Sequence, residues 1–129
     1  MGDNEIIDKI QKPREPFNVN SLAQSAAVAA MDDEEHLEKS FQMNISGMLF
    51  LKTEIVKMGH KIYPSHANFI LLDFGCPAKN IYEELLKRGV IVRPLENYNL
   101  PNCLRITVGT QDENERFIAG LKEVLGVLR

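Results

Sequence analysis

Apolar residues recur at intervals of three and four through Leu37, Phe41, Ile45, Met48, Leu51 and Ile55, the spacing that lays one stripe along an α-helix. A long helix is therefore predicted over 34–58, with Asp32 or Asp33 as its cap and Glu34 and Glu35 in the first turn, where the helix dipole favours negative charge. Gly59 stops it and Lys57 suits its last turn. Gly47 in its middle costs about 1 kcal/mol against alanine, which points to a close neighbour there. The Ala-rich run from Ala23 to Met31 predicts a preceding helix, with Ser21 as N-cap and Gln24 completing a capping box.

Beyond Gly59 the period shortens. Lys61-Ile62-Tyr63 reads as extended, and the mostly apolar run Ala67 to Asp73 as a strand, broken by Gly75-Cys76-Pro77. A helix follows from Ala78 to Lys87 or Arg88, with Ile81, Leu85 and Leu86 on its inner side and Gly89 as its stop. Val90-Ile91-Val92 is the next strand, ended by Arg93-Pro94. A polar loop over 96–102 leads to the strand Leu104 to Val108, the two strands making a hairpin. Asp112 or Thr110 caps a last helix whose stripe is Ile118, Leu121, Val124, Leu125 and Leu128. The expected architecture is α/β in the two-layer α+β sense, a small, mainly antiparallel sheet of about three to four strands packed with helices.

At 129 residues and 44% hydrophobic content, the chain holds one domain, placed over 21–129, with residues 1–20 as an arm or linker. A net charge of -3 provides no broad positive field, which argues against nucleic acid as a partner. No apolar run approaches the roughly 20 residues of a membrane span, so no membrane partner is expected. Cys76 and Cys103 have no metal-ligand spacing and no evident need to pair, so a reducing cytoplasm is the expected setting.

The chemistry concentrates on Arg105. A guanidinium inside the apolar run Leu104-Arg105-Ile106-Thr107-Val108 must find an anion or reach solvent. Its planar fork fits a carboxylate or phosphate, and an ion pair with one of the chain's own acids is the competing reading. His36, His60 and His66 lack metal spacing, so no metal is expected. Ser65 before His66 makes no catalytic triad, and no Gly-rich phosphate loop occurs.

Four segments carry a resemblance, in order and spacing. Pro16-Phe17-Asn18-Val19-Asn20-Ser21-Leu22-Ala23-Gln24, Pro64-Ser65-His66-Ala67-Asn68-Phe69-Ile70, Gly89-Val90-Ile91-Val92-Arg93-Pro94 and Cys103-Leu104-Arg105-Ile106-Thr107-Val108-Gly109-Thr110 resemble pyridoxal-phosphate-dependent aminotransferases of the aspartate aminotransferase fold. The resemblance is to the C-terminal small domain, and is closest to the histidinol-phosphate branch. It implies that Arg105 binds a substrate carboxylate or phosphate, with Arg93 at the rim. Phe17, Asn18 and Asn20 would lie on a subunit-interface loop near the active site. Asn68, polar within an apolar run, is expected to be buried and to tie down backbone near the site.

The family's cofactor lysine and phosphate loop belong to a large domain whose motifs do not occur here. The resemblance therefore implies no catalytic residue in this chain and no bound pyridoxal phosphate. The parent would be a homodimer of histidine biosynthesis, working on small phosphate or carboxylate substrates, and the fragment's uncovered apolar face could drive self-association. Aromatic-amino-acid aminotransferases, threonine-phosphate decarboxylases and a non-catalytic binding module are the competing identities.

Overall fold

The computed structural model describes residues 3–13 and 17–127. Its helices are α1 (Asn4–Gln11), α2 (Ser21–Met31), α3 (Glu34–Lys57), α4 (Lys79–Lys87) and α5 (Gln111–Val127). Its strands are β1 (Lys61–Ile62), β2 (Phe69–Asp73), β3 (Arg93–Pro94) and β4 (Cys103–Thr107), with a 3-10 turn at Glu96–Tyr98. The chain divides into two compact units, Met1–Leu37 and Glu38–Arg129.

In the first unit, the stretch read as an arm contains α1, capped by the Asp3 carboxylate, which accepts from the Glu5 N–H at 2.9 Å. Arg14, Glu15 and Pro16, and with Pro16 the start of the first family-like segment, lie outside the described residues. The cap of α2 is Asn20 rather than Ser21. Asn20 has extended backbone and its side-chain oxygen accepts from Ala23 N–H at 2.8 Å, while Gln24 reaches back to the Val19 carbonyl. An amide oxygen one residue earlier does the hydroxyl's expected task and leaves Ser21 as the first helical residue. No residue of α2 is buried.

The second unit is built on an antiparallel sheet of order β1-β2-β4-β3. Strand alternation sends Ile70 and Leu72 of β2 and Leu104 and Ile106 of β4 into a core with Leu51 and Ile55 of α3, Ile81 and Leu85 of α4, and Phe117, Leu121 and Val124 of α5. Each such side chain contributes on the order of 1.5–3 kcal/mol by leaving water. Phe69, Leu71 and Arg105 take the other face and are half-buried. The hairpin expected across the 96–102 loop is present as the β3–β4 pair.

Three further expectations need correction. Val90-Ile91-Val92 is not a paired strand. Its burial alternates, with Ile91 81% exposed between two buried valines, but the ladder begins only at Arg93 opposite Arg105. The Val90 N–H is spent instead on the Leu85 carbonyl closing α4, which draws this end away from β4. The α3 stripe is buried only in its second half. Met48, Leu51 and Ile55 enter the core, whereas Leu37, Phe41 and Ile45 are exposed; within the second unit the sheet packs on the helix's C-terminal half, beyond Phe41 and Ile45. Asn68, expected to be buried within a strand from Ala67, is exposed and precedes β2, its carbonyl accepting from Val108 N–H at 2.8 Å. Leu128 of the last stripe lies outside the described residues.

Helix α5 starts with a reciprocal box. Thr110 Oγ1 accepts from Glu113 N–H at 3.4 Å, and the Glu113 carboxylate accepts from Thr110 N–H at 2.8 Å, so Thr110 is the cap and Asp112 is not. Glu54 then ties α3 to α5, accepting from Lys57 at 2.7 Å and Lys122 at 2.9 Å. Gly59 ends α3 at φ 81°, a left-handed conformation that glycine alone adopts freely.

The close neighbour expected at Gly47 is present. A Cβ there would lie 2.6 Å from Val108 Cγ1 and 2.8 Å from Asn114 Nδ2. Helix propensity favours alanine by about 1 kcal/mol, but overpacking costs about 1–3 kcal/mol and displacing the hydrogen-bonded Asn114 amide a similar amount. Gly47→Ala is expected to destabilise the chain by about 1–3 kcal/mol in urea unfolding; equal or greater stability would contradict this packing. The Lys122 and Lys57 hydrogen bonds hold the Glu54 carboxyl down to about 2, below the ordinary 4.5. Its contribution is therefore complete above the unfolded value and lost as pH falls from about 4.5 towards 2. Glu54→Gln should flatten the thermal midpoint's dependence on pH in that window, an effect read by calorimetry at low salt.

Candidate functional site

Arg105 sits mid-way along β4, an interior strand of the sheet, and its register partners are Leu71 on one side and Arg93 on the other. Residues directly opposite in an antiparallel ladder have Cβ atoms about 4.5–5.5 Å apart, so two guanidiniums rise from the same face side by side. Like charges so placed repel unless something negative joins them. Among the described residues, neither arginine forms an ion pair with a carboxylate, so the structural pairing that competed with anion binding is not made.

Aromatic rings take part of the load. The Arg105 guanidinium carbon lies 5.1 Å from the centroid of Phe69, two residues along β2 from Leu71 on the same face, and that of Arg93 lies 5.7 Å from Tyr98. Arg93 Nη2 also donates to the Tyr98 hydroxyl at 3.1 Å. Arg105 Nε is buried with no hydrogen-bond partner. An unmet charged donor in a part-buried position is costly, and an incoming oxygen would relieve it.

Local hydrogen bonds hold this face in place. Ser65 Oγ donates to the Phe69 carbonyl at 2.7 Å and accepts from Ala67 N–H at 3.2 Å, fixing the bend that delivers the Phe69 ring beside Arg105. Beyond β4, the Asn114 amide accepts from Gly109 N–H and donates to Gly109 C=O, both at 3.0 Å. Asn114 is the buried polar residue of the core, 3% exposed. Reading the sequence missed both tasks. The signal was the Thr110-x-x-Glu113 box, which sets the first turn of α5 and so places Asn114 over the turn before it.

The remaining predicted residues are dispersed. Asn20 caps α2, while Phe17, 90% exposed, and Asn18 precede it. The exposed Asn68 contributes its carbonyl, not its amide, to the segment after β4. A separate cleft of about 500 Å³ is lined by Val90, Val92, Val108, Asn114, Arg116 and Phe117 among others. Its polar side chains serve the fold, with Arg116 donating to the Arg88 carbonyl at 3.3 Å and Asn114 holding Gly109.

Five of the lysines do not fit a covalent seat for pyridoxal phosphate, which needs an amine with a lowered pKa in a desolvated pocket. Lys57 and Lys122 are paired with Glu54, Lys9 with Glu5 and Lys87 with Glu84. Lys61 rests on Tyr63, whose hydroxyl pushes its amine up, and Glu84 pushes Lys87 up. What the open face presents is two neighbouring guanidiniums, one with a buried Nε that has no partner. Among the described residues no group of His, Cys, Asp and Glu is arranged to hold a metal ion, and no helix is long and apolar enough to cross a membrane.

Comparison with known proteins bears on this geometry. Histidinol-phosphate aminotransferase 2 of Pseudomonas fluorescens strain Pf0-1 is 48% identical over 120 residues, 93% of this chain and 32% of the relative. The histidinol-phosphate aminotransferase of Symbiobacterium thermophilum is 43% identical over 122 residues, 95% of this chain and 34% of the relative. The chain thus spans about a third of the length of the curated relatives it matches. Among solved structures, histidinol-phosphate aminotransferase from Sinorhizobium meliloti in complex with pyridoxal-5'-phosphate superposes with a TM-score of 0.80 at 25% identity, over 95% of this chain and 34% of that one. L-threonine-O-3-phosphate decarboxylase from Porphyromonas gingivalis, with a TM-score of 0.63 at 20% identity over 96% of this chain and 40% of that one, shares the fold. The aspartate aminotransferase fold expected from four short segments is therefore the fold observed. The family model for aminotransferase class I and II matches residues 1–121, and the chain belongs to that family.

Proposed function

We propose that this chain is the C-terminal small domain of a pyridoxal-phosphate-dependent histidinol-phosphate aminotransferase, residues 21–129 forming the domain and 1–20 the arm that enters it. Amino transfer would run between glutamate and 2-oxoglutarate on one side and histidinol phosphate and imidazole-acetol phosphate on the other. The supporting observation is Arg105, held on an interior strand opposite Arg93 and paired with no acid among the described residues. A phosphate-bearing substrate is the reading we adopt, in keeping with relatives named histidinol-phosphate aminotransferase.

In this reading, the bound cofactor supplies the electron sink that lets the amino group change carbon, and a lysine outside this chain anchors it. Arg105 grips the anionic end of the substrate, the phosphate of histidinol phosphate in one half-reaction and a glutamate carboxylate in the other, since both present paired oxygens to a guanidinium fork. Arg93 stands at the rim and lowers the cost of the second negative charge on phosphate. Leu71 and Phe69 wall the face with apolar surface, which excludes water around the gripped group and strengthens each charged hydrogen bond there. Phe17, Asn18 and Asn20 belong to the arm, which would approach the site of a neighbouring subunit in a homodimer. The setting is histidine biosynthesis in the cytoplasm.

Hydrogen bonds to a charged group contribute about 1.5–3 kcal/mol each. In the intact enzyme, Arg105→Ala is expected to lower kcat/KM for histidinol phosphate about ten- to a hundredfold or more, chiefly through KM. Unchanged saturation by the substrate would overturn the assignment. The 129-residue chain alone should transfer no amino group from glutamate and retain no cofactor absorbance after desalting. Pyridoxal phosphate bound stably at one of its lysines would refute the division of labour.

A further inference from the structure

Tyr98 has no part in the reading above, yet it touches one of the two arginines. It ends the 3-10 turn Glu96–Tyr98, and that turn is rigidly tied. Tyr98 N–H donates to the Leu95 carbonyl at 2.9 Å, Asn99 N–H to Glu96 at 3.0 Å and Leu100 N–H to Leu95 at 3.2 Å, while the Leu95 side chain is buried. Asn99 closes the turn at φ 59°, in the left-handed region that asparagine tolerates better than most residues. The phenol is thereby presented beside Arg93, 56% exposed and fixed at its base.

A tyrosine hydroxyl has one proton to give and lone pairs to accept with. Arg93 Nη2 donates at 3.1 Å, so the phenol oxygen is the acceptor and its own proton remains to be donated elsewhere. An anion lying between the Arg93 and Arg105 forks would meet two cationic donors and, at the Arg93 side, one neutral hydroxyl donor. A carboxylate has two oxygens to share among these donors, whereas a phosphate monoester has three terminal oxygens and more negative charge, so an added hydroxyl donor favours phosphate more. Arg93 by itself is a poor seat, because Glu96 lines the same open cleft of about 590 Å³ with Pro94 and Asn97.

We propose that Tyr98 is a specificity-determining residue of this anion site, its hydroxyl proton adding a neutral donor to the third oxygen of a phosphate, which a carboxylate lacks, and so favouring phosphate over carboxylate. The proposal rests on Arg105 and Arg93 forming the anion site. It assigns Tyr98 a direct contact as well as the orienting of Arg93.

The test uses this chain, with inorganic phosphate and acetate as probes, followed through the arginine Nε–H and tyrosine ring resonances by NMR. Tyr98→Phe keeps the ring against Arg93 and removes only the hydroxyl. The expected result is a loss of about fivefold or more in phosphate affinity, acetate affinity held within about twofold, and an unchanged thermal midpoint, since the hydroxyl is solvent-accessible. Equal losses for both probes, or no loss for phosphate, would overturn the role of Tyr98. Arg105→Ala separates the two levels. If it abolishes binding while Tyr98→Phe changes nothing, the anion site stands and the tyrosine's part falls; if Arg105→Ala changes neither probe, the site itself is refuted.

Discussion

Two positive charges rise next to each other from one face of a small sheet with no negative group between them. Everything else about the second unit can be read as the means of keeping that arrangement. A lone guanidinium in an apolar strand would ordinarily be a liability, since desolvating a charge costs more than any single contact returns. Here the cost is spread. Phe69 faces Arg105 and Tyr98 faces Arg93 with their π-clouds, Arg93 is mostly in water, and only the Nε of Arg105 is sealed off without a partner. The chain tolerates a modest penalty at that one donor, and the proposed anion would remove it.

The opposite face supplies the stability that makes this tolerable. Ile70, Leu72, Leu104 and Ile106 are at most 3% exposed, and they share a core with three helices. The strand that carries Arg105 is therefore anchored by the residues on either side of it in sequence, Leu104 and Ile106, which point the other way. Its far end is clamped again, where the Asn114 amide holds both polar groups of Gly109 and Gly47 leaves room for it against α3. A side chain on so rigid a support loses little freedom when it binds, and that saving improves affinity.

Much of this was legible in the chain. The limits of the later helices and the hairpin followed from periodicity and from glycines at helix ends, though α1 was read as a linker, and Arg105 stood out because a charge interrupted a β-branched run. What escaped had a common cause: a local pattern does not say which partner is nearby. The stripe through Leu37, Phe41 and Ile45 has helical spacing whether or not anything packs on it. Val90-Ile91-Val92 has strand composition, but one hydrogen bond to Leu85 diverts it from the ladder. Asn68 reads as buried because its sequence neighbours are apolar, and only the bend at 66–68 turns it outward. Tyr98 lay in a loop whose polarity hid it, since its relation to Arg93 depends on the turn geometry that follows from Asn99.

The diverted segment has a consequence for the molecule in company. Val90 to Val92 leads into the edge strand with strand-like alternation, Ile91 mostly in water at its centre and no lysine to discourage another extended chain; only Pro94, lacking an amide hydrogen, blunts its end. Such a border behaves like an open zip. What covers that segment then sets how much apolar surface the molecule shows to water, as much as how firmly its interior is packed.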